Sequence, residues 1–163
     1  PRRFGALLWT REDPLRHKLL RELGPEPLAP DFSGDYLYTK LHGRQRGIRD
    51  ALLDGRLLAG IGNIYANEAL FAAGIRPARR SGKITRAQFA RLAHAIRATL
   101  NRAIRDGGTT LRDFRNGHGE PGYFQLSLNV YGRAGAPCRS CQTPVRARRL
   151  GQRTAFYCPK CQI

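Results

Sequence analysis

The sequence predicts an α+β chain: a mainly helical body, a small β-ribbon after it, and one strand at the N-terminus. Three observations carry this. Between Thr85 and Asp106, the residues Phe89, Leu92, Ala93, Ile96, Leu100 and Ile104 recur at three- and four-residue spacing with arginines elsewhere, the pattern of a helix with one buried face. All four cysteines lie at or after position 138, in two close pairs. Arg3-Phe4-Gly5-Ala6-Leu7-Leu8-Trp9-Thr10 reads as a strand, yet no strand follows to pair with it, so it resembles the severed end of a larger sheet.

Taken in order, Thr10 to Leu23 is predicted as a short helix with Pro14 in its first turn, stopped by Gly24-Pro25-Glu26-Pro27. Ser33 or Asp35 can cap a second helix to about Leu41, and a third covers Ile48 to Leu53, ended by Asp54-Gly55. In Gly60-Ile61-Gly62-Asn63 the two glycines are expected to make tight turns before a helix from Asn63 to Ala73, with Gly74 as a left-handed cap. Gly107-Gly108 stops the long helix. Residues 115–122 have loop composition, and Leu126 to Tyr131 reads as a short strand. The expected division is 1–10, the strand; 11–125, the helical domain; and 126–163, the cysteine unit.

Composition narrows the function. With 163 residues, 41% of them hydrophobic, the chain can bury a real core. Twenty-nine Lys+Arg against twelve Asp+Glu give a formal charge of +17, a self-repulsion that a polyanion relieves. The excess is mostly arginine, whose planar fork suits bidentate phosphate contact, so nucleic acid is the leading partner. No run reaches the ~18 apolar residues of a membrane span, and the N-terminus lacks a signal-peptide core. The expectation is a cytoplasmic, nucleoid-associated monomer.

Cys138-x-x-Cys141 and Cys158-x-x-Cys161 have the spacing of a zinc ribbon, in which two tight turns present four thiolates tetrahedrally. Disulfides or free thiols are the alternative. Four thiolates leave no open coordination position, so one zinc would be structural. Arg146, Arg148, Arg149 and Arg153 lie between the pairs and make a basic hairpin suited to a DNA groove, or simply a solvated charge run. Asn63 stands where a helix N-terminus can bind phosphate, and by itself caps that helix as readily as it contacts an anion. His17, His42, His94 and His118 show no triad or metal spacing and read as surface residues.

Several segments together resemble bacterial formamidopyrimidine-DNA glycosylases over essentially the whole chain. They are Pro1-Arg2-Arg3-Phe4-Gly5, residues 23–28, Gly60-Ile61-Gly62-Asn63-Ile64-Tyr65-Ala66-Asn67-Glu68, Gly107-Gly108-Thr109-Thr110-Leu111 with Pro121-Gly122-Tyr123-Phe124, and Gln152-Arg153-Thr154-Ala155-Phe156-Tyr157-Cys158-Pro159. The resemblance implies a helix-two-turns-helix domain and a zinc finger, in a bifunctional DNA glycosylase/AP lyase of base excision repair. Such an enzyme removes 8-oxoguanine and formamidopyrimidines from double-stranded DNA and cleaves the abasic strand.

It also implies roles. Asn63 and Arg153 would clamp phosphate around the flipped nucleotide. Arg2 and Phe4 would form the wedge that fills the vacated stack, and Arg3 between them would also be a DNA-binding residue. Asn116, Gly117, His118, Gly119, Glu120, Pro121, Gly122 and Tyr123 would form the lesion lid, and Arg49 falls where a DNA-binding lysine is common. The family's nucleophile is a proline amine heading a Pro-Glu-Leu-Pro-Glu-Val segment, which nothing here matches. Pro1 belongs to the later Pro-Arg-Arg-Phe match, so no catalytic residue is expected in this chain, and the N-terminal domain of the same protein is expected as its partner. A naturally short, non-catalytic zinc-dependent DNA-binding module is the rival reading, and a structural RNA-binding protein a third.

Overall fold

A computed structural model describes residues 9–107 and 127–163. Among the described residues four α-helices form the body: α1 (Gly34–Leu41), α2 (Ile48–Leu52), α3 (Asn63–Ala72) and α4 (Arg86–Arg105). Two antiparallel strands, β1 (Arg146–Leu150) and β2 (Arg153–Tyr157), form the ribbon, paired from Arg146 with Tyr157 to Leu150 with Arg153.

Local signals set the helix starts. Ser33, not Asp35, caps α1, its hydroxyl accepting from the Tyr36 amide at 3.1 Å. Thr85 and Gln88 form a reciprocal capping box on α4. α4 lays its predicted apolar stripe against α1 and α3, burying Phe89, Leu92 and Ile96 with Phe32, Leu37, Ile48, Leu52, Leu58, Leu70 and Ile75. Each such side chain contributes roughly 1.5–3 kcal/mol of transfer free energy. Ile104, assigned to the stripe, is exposed near the helix end. Gly74 turns the chain at φ 70°, a left-handed value that favours glycine.

Three expectations are corrected. The helix from Thr10 to Leu23 is only a 3-10 turn at Pro14–Arg16 followed by irregular turns. His17 is extended at ψ 140°, and Leu15, Leu19, Leu20 and Leu23 are exposed, so among the described residues their packing does little to offset the cost of nucleating a short helix. In the Gly60-Ile61-Gly62 turn only Gly60 has positive φ, at 75°; Gly62 at φ −97° is the N-cap of α3. The segment 127–131 is a turn, not a strand, because its amides curve around a buried carboxylate described below. The N-terminal strand falls largely on residues 1–8, outside the described residues; Trp9 and Thr10 are not in a strand.

The ribbon has a small core of Val130, Val145, Cys138 and Cys158, closed by Phe71 of α3 and by Phe156. Polar bonds fix it to the body. The Gln162 side chain donates to the Ile75 carbonyl at 2.8 Å and accepts from the Cys158 amide at 2.8 Å, and the Ile163 amide donates to the Gly74 carbonyl at 3.1 Å. Hydrogen bonds from Arg49 to the Leu150 and Arg153 carbonyls and from Asn63 to the Thr154 carbonyl put the tip of the hairpin, residues 150–153, beside the start of α3.

Candidate nucleic-acid interface and metal centre

Asn63, Arg49 and Arg153 are far apart in sequence and meet in space. Asn63 is the first residue of α3, and Gly62 before it gives no side-chain cap. The Asn63 side chain does not cap either: its Nδ2 donates to the Thr154 carbonyl at 2.9 Å and its Oδ1 accepts from Arg49 Nη1 at 3.0 Å. The capping alternative is thereby set aside. Nothing lies within 4 Å of where a Gly62 side chain would project, so the helix N-terminus faces open space at that point. The leading amides of a helix lack intrahelical acceptors and sit at the positive end of its dipole.

Arg49 is 1% exposed. Its guanidinium donates to the Leu150 carbonyl at 2.7 Å, the Arg153 carbonyl at 3.3 Å and Asp50 Oδ1 at 3.1 Å, besides Asn63. The side chain read from sequence as a DNA contact is therefore turned inward, holding the hairpin tip against α3. Arginine suits this brace because one planar fork reaches several fixed acceptors. Arg153 itself is exposed at the start of β2, with Arg46, Asp50, Leu53 and Gly151 lining an open groove beside it. Arg146, Arg148 and Arg149 are also exposed on β1, so the hairpin is basic over its outer surface.

Two polar residues that sequence reading passed over complete the junction. Glu68, 2% exposed, accepts four hydrogen bonds: from the Asn129 amide at 2.8 Å, Asn129 Nδ2 at 3.0 Å, and the Val130 and Tyr131 amides at 2.9 Å. These bonds shape the 127–131 turn. Asn67, fully buried, donates to the Asn63 carbonyl at 2.6 Å and accepts from the Phe156 amide at 2.7 Å, tying β2 to α3. The available signal was a carboxylate and an amide inside an otherwise apolar helix, which must find partners if buried.

Arg97, read only as part of the polar face of α4, also belongs to the framework. It donates to the carbonyls of Pro27 at 3.2 Å, Ala29 at 2.8 Å and Phe32 at 2.6 Å, holding the segment before α1.

The sulfurs of Cys138, Cys141, Cys158 and Cys161 all lie within 4.8 Å of one another. Cys138 and Cys161 are 3.9 Å apart, and Cys141 and Cys158 3.4 Å. Four sulfurs tetrahedrally around an ion at the ~2.3 Å zinc–thiolate distance stand about 3.8 Å apart, so the cluster fits a metal and not two disulfides. A hydrogen bond from Thr143 brings the Cys141 thiol down to about 6, while its bond to Cys141, with burial, pushes Cys161 up to about 12. Arg2, Arg3, Phe4 and the lid from Asn116 to Tyr123 lie outside the described residues.

The fold and site together define a class: a helix-two-turns-helix body carrying a four-cysteine metal ribbon. Residues 23–115 match the formamidopyrimidine-DNA glycosylase H2TH domain. The chain is 56% identical over 162 residues to the formamidopyrimidine-DNA glycosylases of Methylococcus capsulatus and Ectopseudomonas mendocina, covering 99% of this chain and 60% of each relative. The crystal structure of the MutM (Fpg) protein of Thermus thermophilus superposes with a TM-score of 0.92 at 44% identity, covering 99% of this chain and 62% of that one. The Lactococcus lactis Fpg in complex with DNA containing an abasic site gives 0.81 at 33% identity, covering 88% and 53%. This chain belongs to the formamidopyrimidine-DNA glycosylase family and spans about 60% of the length of those curated relatives.

Proposed function

We propose that this chain is the DNA-gripping part of a bifunctional DNA glycosylase/AP lyase of base excision repair, acting on 8-oxoguanine and formamidopyrimidines in duplex DNA. The observation that carries the reading is the junction itself: Asn63 at the open N-terminus of α3 and Arg153 at the hairpin tip, braced together by buried Arg49. A phosphate between them meets helix amides, a side-chain amide and a guanidinium fork at once, a charge-assisted clamp on a strongly basic protein. Family membership and the likeness to a relative bound to abasic-site DNA support the same reading.

In this reading Arg153 and Asn63 grip the backbone flanking an extruded nucleotide, and Arg49 acts through them as a positioning residue. Arg2 and Phe4 fill and read the vacated stack, Arg3 contacts the DNA beside them, and residues 116–123 cover the extruded base. Cys138, Cys141, Cys158 and Cys161 hold one zinc, whose contribution is to fix the hairpin that carries Arg153. Amine attack on the sugar belongs to the family's Pro-Glu-Leu-Pro-Glu-Val segment, and Pro1 is not assigned that role.

The test is binding and trapping on matched duplexes. The chain should bind an abasic-site duplex more tightly than an undamaged one, with a log-log salt slope of roughly −4 to −7 for about five to eight neutralised phosphates. Borohydride should trap little or no adduct on abasic or 8-oxoguanine DNA. A flat salt dependence would refute the basic face as the interface, and efficient trapping at Pro1 would refute the division of labour.

A further inference from the structure

A chain of hydrogen bonds with fixed polarity runs behind the clamp, starting and ending on β2. The Phe156 amide donates to Asn67 Oδ1 at 2.7 Å. Asn67 Nδ2 donates to the Asn63 carbonyl at 2.6 Å and to Asn63 Oδ1 at 3.2 Å, and Asn63 Nδ2 donates to the Thr154 carbonyl at 2.9 Å. Each step has only one possible direction. A backbone N–H can only donate, so the Asn67 oxygen must face Phe156 and its nitrogen must face the start of α3. A guanidinium also only donates, so the Asn63 oxygen must face Arg49, 3.0 Å away.

The consequence falls on Asn63. Its Oδ1 takes two donors, Arg49 and Asn67, and is saturated inside the protein. Its Nδ2 carries two hydrogens: one goes to Thr154, and the other has no acceptor among the described residues, on a half-buried side chain beside the open N-terminus of α3. What Asn63 turns outward is therefore a donor alone, as an anion requires. An inverted amide would set its oxygen against the Thr154 carbonyl and its nitrogen against two donors. Asn67 is fully buried in the middle of α3, where asparagine is a poor helix former, so its hydrogen bonds and not its helix propensity suit it to that position.

We infer that Asn67 is a positioning residue for the clamp: from inside α3 it holds the Asn63 amide in the one orientation that presents N–H to phosphate. The inference rests on the DNA-gripping function proposed above and deepens it. Being fully buried, Asn67 meets no ligand and acts only through Asn63. Arg49 and Asn67 share the task from two sides, the first from α2 and the second from the next turn of α3.

The test uses the full zinc-loaded chain with Asn67→Asp, which keeps the shape and the acceptor for the Phe156 amide but replaces the donor by an acceptor, and with Asn67→Ala, which removes both. Each is made alone and together with Asn63→Ala, and binding to an abasic-site duplex is measured at fixed salt. Asn67→Asp should weaken binding about tenfold or more, and Asn67→Ala about threefold, since Arg49 still holds the Asn63 oxygen. In the Asn63→Ala background either change should alter affinity by less than about twofold. In NMR spectra of the free chain, one Asn63 side-chain amide proton should exchange slowly, and Asn67→Asp should abolish that protection. If Asn67→Asp does not fold, Asn67→Ala carries the same comparison. A loss that persists undiminished in the Asn63→Ala background overturns the inference, because a new carboxylate or a displaced hairpin would act on phosphate without Asn63. Unchanged affinity in a folded Asn67→Asp chain overturns it as well. If Asn63→Ala alone leaves binding unaltered, or the parent does not bind the duplex, the clamp itself fails, and this inference with it.

Discussion

Replacing Arg49 with alanine separates a brace from a contact. In the folded chain the guanidinium serves the Asn63 side chain and the carbonyls of Leu150 and Arg153, and it pairs with Asp50. Hydrogen bonds from a charged donor are worth about 1.5–3 kcal/mol each when lost. Leu150 is half-buried and Arg153 exposed, so water can replace part of what the two carbonyls lose. The expected loss of unfolding free energy is therefore about 3–5 kcal/mol, equivalent to two charged hydrogen bonds lost without replacement, instead of the full sum. Urea unfolding followed by far-UV circular dichroism measures it. Affinity for abasic-site DNA should fall by roughly 10–100-fold, equivalent to about 1.4–2.8 kcal/mol, because Asn63 and the hairpin tip lose their register. Arg49→Lys should recover only part, since an ammonium does not reproduce the fork. The reasoning is refuted if Arg49→Ala unfolds within about 0.5 kcal/mol of the parent while its salt slope drops by about one, for that is the signature of an exposed phosphate contact.

Other perturbations probe the framework and the metal centre. Arg97→Ala removes three donor bonds to the segment before α1 and should cost about 2–4 kcal/mol of stability by urea unfolding with little change in the DNA salt slope. A loss under about 0.5 kcal/mol would mean those bonds add nothing. Natively purified protein should hold one zinc per chain, and chelation should unfold residues 128–163 while α1 to α4 keep their helical signal; a chelated chain with unchanged hairpin resonances would contradict the account. Metal loading requires four thiolates, and Cys161 starts near 12, so loading expels protons and zinc affinity should fall as pH is lowered from about 8 to about 6. Affinity independent of pH over that range would exclude thiolate ligation.

The sequence made the regular parts legible for identifiable reasons. α4 was readable because its apolar residues recur at helical spacing, and the ligand set because two Cys-x-x-Cys turns carry their own geometry. The failures have one cause: tertiary contacts decided the outcome. Residues 10–23 have helix-compatible composition but leave their leucines exposed among the described residues, and 127–131 has strand composition but curves around Glu68. Arg49 and Arg97 are arginines in a chain full of surface arginines, and only the fold distinguishes the buried brace at 1% exposure from its solvated neighbours. Asn63 and Arg153 were paired through resemblance, and periodicity could not have joined residues separated by the whole of α4.

The central claim is that α3 and the hairpin tip act on phosphate as one clamp. A double-mutant cycle with Asn63→Ala, Arg153→Ala and the double variant, on an abasic-site duplex at fixed salt, measures that directly. Each single variant should lose about 1–3 kcal/mol of binding, and the double should lose less than their sum by at least about 1 kcal/mol, because removing either residue already opens the clamp. Losses that add within about 0.3–0.5 kcal/mol would show two independent contacts on a diffuse basic surface, and the clamp would not stand.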